Sequence, residues 1–381
     1  GRGCLGSDLA APEPMIMAAE RGRNAAPTEP DRLEGFSAPR EVDRLFGHQA
    51  AEQELEDALQ SGRMHHAWLI VGPEGIGKAT LAYRFARTVL ASGAAVDRDH
   101  PVFRKVAALS HPNLLLIRRS WVEKSKRWSQ WIGVDEVRRL RSFLGHSAGE
   151  GGWRVVIVDR ADDLNQSAAN ALLKALEEPP PQTLFLLVSS AEGRLPVTIR
   201  SRARTLRLSS LSEEDLQQAV LAALERDGQE ASAKALAAAL TLSQGSVRRV
   251  LELVSSEGIE LYEEIASAFA ALPEIEAPRL HGQVDRLAAP SESERLELYL
   301  ALLLGLIERL IRFAATGAGA TKDEQLLAGR LVSPANLAHW AAAWEGISEA
   351  RAEAFGLNLD KSLLLLETWF KLQAVAREHP V

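Results

Sequence analysis

The chain has 381 residues, with 44 Lys+Arg against 51 Asp+Glu for a formal net charge of −7, 46% hydrophobic residues and one cysteine. That length suggests two or three domains with sizeable cores. Cys4 alone excludes a disulfide framework and argues against a structural zinc site. The net acidity excludes coating of nucleic acid by bulk charge but leaves room for a local basic patch.

Residues 1–38 are rich in Ala, Pro, Gly and scattered charge and show no apolar period, so a disordered extension is expected there. Translation is expected to begin at Met15 or Met17. No secretory hydrophobic region is visible, and a reducing, cytoplasmic setting follows as the expectation. From residue 42 to 59 the apolar positions fall at helical spacing. Ala67-Trp68-Leu69-Ile70-Val71 then forms a continuous apolar run stopped by Gly72 and followed by a helical pattern at Leu81, Phe85 and Val89. A buried parallel strand feeding a helix has this signature.

The alternation recurs. Residues 114–117 read as strand, 135–144 as helix, 155–158 as strand, 168–176 as helix and 184–188 as strand, which predicts a mostly parallel sheet with helices on both faces over 39–208. Beyond Leu208 the strand signals stop. Residues 209–272 read as a small helical bundle broken at Gly228 and Gly245, 273–290 as a linker or loose helix, and 291–381 as an all-α domain. The most apolar stretch, residues 298–307, is far shorter than the ~18 residues of a membrane span. It predicts a buried helix, and no membrane partner is expected.

Gly72-Pro-Glu-Gly75-Ile-Gly77-Lys78 has the phosphate-loop spacing, directly after a predicted strand and at the start of a predicted helix. The glycines let backbone N–H groups curl around an anion, the helix N-terminus adds its dipole, and Lys78 supplies a mobile positive charge. Position 79 departs from the motif. A hydroxyl belongs there to ligate magnesium, whereas this chain has Ala79, and Thr80 lies about 100° further round the helix. Asp159, at the end of the strand Val155–Val158, is placed to hold magnesium directly or through water. The alternative is a plain helix cap. The next residue, where an ATPase of this kind carries a glutamate to orient the attacking water, is Arg160.

Four segments together resemble the AAA+ subunits of the bacterial replicative clamp loader. They are residues 72–80, residues 155–162, Asn170-Ala-Leu-Leu-Lys-Ala-Leu-Glu-Glu-Pro-Pro180, and Leu195-Pro-Val-Thr-Ile-Arg-Ser-Arg202. The resemblance covers residues ~40–254 and implies an α/β phosphate-loop AAA+ domain over 39–208, a helical lid over 209–272 and, after the linker, a collar domain over 291–381. It implies that ATP or ADP is held by Gly72, Gly75, Gly77, Lys78, Thr80 and Asp159, with Arg248 approaching the phosphates from the lid. Ser189 and Ser190 follow the strand where the first sensor lies.

The same resemblance implies that Arg202, in Ser201-Arg202-Ala203, is an arginine finger for the nucleotide of a neighbouring subunit. The family motif is Ser-Arg-Cys, so the arginine is kept and the cysteine lost. The family's four-cysteine zinc module has no counterpart, because residues 88–112 contain no cysteine. Ala79 and Arg160 count against the motor subunits, whose ATP sites are intact. The expected function is therefore a largely ATPase-deficient subunit that assists a neighbouring motor ATPase. Its expected partners are motor and delta-type subunits and, through the complex, the sliding clamp and primed DNA. A catalytically active motor subunit or another phosphate-loop ATPase is the alternative; a nucleotide kinase finds no second substrate site in residues 208–381.

Residues 118–141 hold eight Lys/Arg against three acids, with Trp121, Trp128 and Trp131 interleaved. Such a stretch could grip phosphates and stack bases. The sequence favours an exposed strand-loop-strand whose tryptophans pack on their own scaffold.

Overall fold

The computed structural model describes residues 29–124, 127–145, 152–255, 258–357 and 359–379. The expected extension 1–38 falls outside them up to residue 28. Within residues 29–38, Phe36 and Ala38 are buried and Ser37 donates its backbone N–H to Asp227 Oδ2 over 3.1 Å.

A five-stranded sheet forms the first layer system: β1 (Ala67–Val71), β2 (Leu114–Ile117), β5 (Arg154–Asp159), β6 (Thr183–Ser189) and β7 (Arg204–Arg207), in the order β2-β5-β6-β1-β7. All four pairings are parallel, with Ala67 opposite Phe185 and Val155 opposite Leu184. Each buried strand divides a continuous apolar run between two cores. Trp68, Ile70, Val155, Ile157, Leu184 and Leu186 face one core; Leu69, Val71, Val156, Val158, Phe185 and Leu187 face the other. Side chains alternate across a strand, so a run without polar interruption needs cover on both faces.

Helices α1 (Gln49–Gln60) and α2 (Lys78–Leu90) cover the first face through Leu55, Leu81, Phe85 and Val89. Helices α4 (Val134–Gly145) and α5 (Gln166–Glu177) cover the second through Val137, Leu140, Leu172 and Leu176. The short α3 (Pro101–Ala107) and α6 (Val197–Arg200) lie in the connections. The helix expected from residue 42 starts instead at Gln49, because Gly47 and His48 take φ of 65° and 62° and break the spiral before it begins.

The second half is helical: α7 (Glu213–Asp227), α8 (Ala233–Leu242), α9 (Val247–Ser255), α10 (Gly258–Ala271), α11 (Ala277–Leu287), α12 (Ser293–Thr316), α13 (Lys322–Leu331), α14 (Leu337–Leu357) and α15 (Lys361–Glu378). Ser212 caps α7 by accepting from the Asp215 N–H, and Gly228 ends the helix at φ 63°. The stretch 273–290 contains α11, whose Leu280, Val284 and Leu287 are buried at a helical spacing. One apolar core runs from Leu216 and Val220 through Leu261 and Phe269 to Leu303, Trp340 and Trp369. Residues 298–307 lie within α12, all of them buried except the half-buried Ala301 and Gly305. Among the described residues no helix is long and apolar enough to cross a membrane.

Candidate functional site

The loop between β1 and α2 is shaped by what surrounds it. A Cβ on Gly72 would lie 2.3 Å from the Leu208 carbonyl oxygen, so only glycine lets the chain after β7 pass this close while Leu208 N–H pairs with Val71 O at 2.8 Å. Gly75, at φ +77°, lies under the start of α9: the Arg248 N–H donates to Gly75 O over 3.3 Å, and a Cβ there would lie 2.3 Å from Ser246 Oγ. The helix pattern then resumes at Lys78, so the loop ends on the N-terminus of α2.

Beside this loop opens a cavity of about 560 Å³, lined by residues 74–80, Asp159, Arg160, Ser190 and Arg248. That volume is in the range of small-molecule and cofactor sites. Gly75, Gly77, Lys78, Thr80, Asp159 and Arg248, all singled out from the sequence, meet at it, and Gly72 adjoins through its carbonyl. Arg202 does not line the cavity. It follows α6, with Nη2 on Glu177 Oε1 at 2.7 Å and Nη1 donating to Thr198 O at 3.0 Å, its side chain 36% exposed. Ser190 lines the cavity and donates its N–H to Asp162 Oδ1, whereas buried Ser189 serves a turn by accepting the Ala191 N–H.

The cations Lys78, Arg160 and Arg248 of the cavity are each bonded within the protein. Lys78 Nζ donates to Gly72 O over 2.8 Å and to Pro73 O. Burial pushes this ammonium down to about 8, although Glu74, Asp159 and Asp162 favour its charged form. Arg160 Nη1 donates to Glu74 Oε1 at 3.0 Å, with Asp162 and Asp163 carboxylates 3.6 Å away. Arg248 Nε donates to Glu252 Oε1 at 2.8 Å. Asp159 is raised to about 7, chiefly by burial and then by Asp31, against the pull of Arg160 and Lys78.

These residues fit a nucleotide better than a magnesium ion. Loop amides and Lys78 are the chemistry that phosphates need. A hard cation wants several free oxygen donors, whereas Ala79 brings none, burial favours the protonated form of Asp159, and the Asp31, Glu74 and Asp163 carboxylates that also line the cavity are paired with Arg118 and Arg160. If a nucleotide is held, the loop N–H groups and Lys78 would bind its phosphates.

Sequence reasoning missed the residues that close the cavity. Asp31 and Phe36 come from before the fold, and Glu297 and Arg351 from α12 and α14. None belongs to a motif. Phe36 is a lone aromatic in a polar stretch, and that was the one signal available.

Four cations of the basic stretch, Arg118, Arg119, Arg138 and Arg139, are paired within the protein. Trp121 in β3 (Trp121–Val122) pairs in register with Trp128 in β4 (Arg127–Trp128), ring centroids 5.5 Å apart in an edge-on arrangement. Arg118 lies over the Trp128 ring and pairs with Glu29 and Asp31, Arg119 pairs with Asp163, and Arg138 and Arg139 pair with Asp135 and Glu136. Trp131 is the exposed member, at 46%.

A parallel β2-β5-β6-β1-β7 sheet with a phosphate loop after β1, an acid at the end of β5 and a helical unit folded onto the loop defines an AAA+ phosphate-loop subunit. Sequence comparisons narrow this. The family model described as "DNA polymerase III, delta subunit" matches residues 47–212. DNA polymerase III subunit delta' of Escherichia coli is 33% identical over 261 residues, covering 68% of this chain and 74% of that protein. The delta' subunit of Pseudomonas aeruginosa is 38% identical over 155 residues, 40% of this chain and 45% of that one. The DNA polymerase III gamma subunit of Buchnera aphidicola is 26% identical over 216 residues, 57% of this chain and 58% of that one. The chain thus spans about half the length of the last two relatives. It belongs to the delta prime family of DNA polymerase III clamp-loader subunits.

Proposed function

We propose that this chain is a non-motor subunit of the clamp loader that does not turn over ATP efficiently at its own site and donates Arg202 to the ATP site of a neighbouring motor subunit. The domains proposed for these roles are 39–208 for the nucleotide-binding-like unit, 209–272 for the lid and 291–381 for the collar, joined by 273–290. ATP or ADP is the ligand proposed for the cavity. The partners are the motor and delta-type subunits and, through the assembled complex, the sliding clamp and primed DNA, in the cytoplasm.

The observation that carries this reading is the cationic Arg160, bound to Glu74 at 3.0 Å, directly after Asp159. A guanidinium cannot polarise water as a base, and Ala79 has no oxygen to hold the metal that would neutralise charge on the transferred phosphoryl group. Arg202 is free of that cavity. Its exposed contact with Glu177 is of a class worth about 0.2–1 kcal/mol, so releasing it toward a neighbour costs little.

The test is ATP turnover by a complex reconstituted from wild-type and variant chains. Arg202→Ala is expected to slow turnover at least ~10-fold, a modest share of the 10³–10⁵ that fingers supply elsewhere, with assembly intact. Glu177→Ala is expected to stay within about fivefold of wild type. Unchanged turnover with Arg202→Ala, or hydrolysis at ~1 s⁻¹ or faster by the isolated chain, sinks the reading.

A further inference from the structure

Glu74 is an acid in a loop built to surround an anion. It precedes Gly75 in the phosphate loop, lines the cavity, and accepts from Arg160 Nη1 at 3.0 Å. Arg160 marks one end of the site: the residue after the strand-terminal aspartate stands where an attacking water is oriented, next to the terminal phosphate. A carboxylate paired with Arg160 therefore sits at the terminal-phosphate end.

Other cations act on the same carboxylate without touching it. Desolvation raises the Glu74 pKa, but the charges of Arg160, Arg248, Lys78 and Arg249 together outweigh it and hold the group below its ordinary value. Arg351, on α14, lines the same cavity and feels the Glu74 charge from the C-terminal helices. The backbone holds the loop under these groups, because the Arg248 N–H is anchored on Gly75 O at 3.3 Å. Lys78 and Arg248 meanwhile spend their donors on the loop carbonyls and on Glu252.

We propose that the Glu74 carboxylate stands in for a terminal phosphate, so that the cavity selects a nucleoside diphosphate over a triphosphate, with Glu74 the residue that sets this choice. This deepens the proposed function and rests on its reading that the cavity holds a nucleotide. A triphosphate must bring its last phosphate against a fixed negative charge and take Arg160 from it, whereas a diphosphate stops short of that end. The Glu74 side chain is 61% exposed, yet even in water-like surroundings two like charges about 4 Å apart repel by about 1 kcal/mol, and a terminal phosphate brings up to two of them, enough for a tenfold preference.

The experiment is calorimetric titration of the full chain with ADP and with ATP, in EDTA, for wild type, Glu74→Gln, Glu74→Ala and Lys78→Ala. Wild type is expected to bind ADP at least tenfold tighter than ATP. Both Glu74 variants are expected to gain at least tenfold for ATP while ADP moves less than threefold, which removes the discrimination. ATP binding as tight as ADP in wild type, or equal gains for both nucleotides in the Glu74 variants, overturns the assignment and leaves nucleotide binding intact. Equal binding by Lys78→Ala and wild type means that the nucleotide is held elsewhere. That result overturns both this assignment and the reading on which it rests.

Discussion

Gly75→Ala tests the contact between loop and lid, and Gly62→Ala serves as its control. Both glycines are left-handed, at φ +77° and +67°, where a side chain costs roughly 1–2 kcal/mol. Around Gly62 a Cβ would meet nothing within 4 Å, so that cost is the whole effect there. At Gly75 the added methyl would lie 2.3 Å from Ser246 Oγ, 2.6 Å from Arg248 Cβ and 3.3 Å from Arg248 N. The serine hydroxyl can rotate away, but the Arg248 Cβ is fixed to the backbone of α9. Ordinary carbon contacts begin near 3.5 Å, so the lid must retreat by about 1 Å. Overpacking of this kind costs typically ~1–3 kcal/mol beyond the backbone term. The measurements are urea unfolding and hydrogen exchange of the full chain. Gly62→Ala should lose about 1 kcal/mol with exchange over residues 243–255 unchanged. Gly75→Ala should lose about 2–4 kcal/mol, or, if the lid yields first, show faster exchange over those residues at a smaller loss. Equal losses in the two variants with no change in exchange would refute a lid seated on the loop.

Two further outcomes follow from charged groups. Lys78 must carry its proton to bind phosphate and its ammonium is lowered to about 8, so ADP affinity should fall as pH rises through 8. At pH 9 about one free molecule in eleven keeps the proton, which predicts roughly tenfold weaker binding than at pH 7; a flat profile from 7 to 9.5 refutes the shift. In the C-terminal helices, Arg309 Nε donates to Glu324 Oε1 at 2.8 Å with both side chains almost fully buried, and Tyr262 OH donates to the same oxygen. Glu324→Gln leaves the guanidinium buried without its counter-charge and should cost about 3 kcal/mol in urea unfolding; a loss below about 1 kcal/mol would refute that account.

The sheet was legible because three of its strands are unbroken apolar runs, and only an interior parallel strand tolerates that on both faces. The phosphate loop was legible for a related reason: Gly72 and Gly75 stand where neighbouring atoms come too close for a Cβ, and Gly77 takes a φ of +105°. What could not be read was set by contacts distant in sequence. Strand β7, Arg204–Arg207, has Leu206 as its one buried residue and exists because it pairs with β1, completing the edge beside the loop. Helix α3 is seven residues long, held by Phe103 and Val106 against the core and capped by His100, too short for a period to emerge. The helical spacing from residue 42 was genuine, but the left-handed backbone at Gly47 and His48 overrode it. At the site, motifs marked the loop and Asp159. Asp31, Phe36 and Arg351 line the same cavity, and their only relation to the loop is the fold.

The cavity and Arg202 differ in how firmly their charges are committed. In the cavity, Lys78 is 5% exposed and bonded to two loop carbonyls, so recruiting it to a phosphate exchanges one desolvated contact for another; Arg160, 36% exposed like Arg202, is held instead by number, with Glu74 at 3.0 Å and the Asp162 and Asp163 carboxylates at 3.6 Å. Little net energy is available from such an exchange, and the Coulombic gain is offset by the contacts given up. Arg202 is held at one carboxylate and one carbonyl, both facing solvent. Carried into a neighbour's dry phosphate site it would give up only these weak contacts, and its attraction to the phosphate would grow as water is excluded. The weak hold on Arg202 supports the proposal that it serves a neighbouring subunit's site, and the buried bonds of Lys78 support the proposal that this chain's own site turns over ATP poorly.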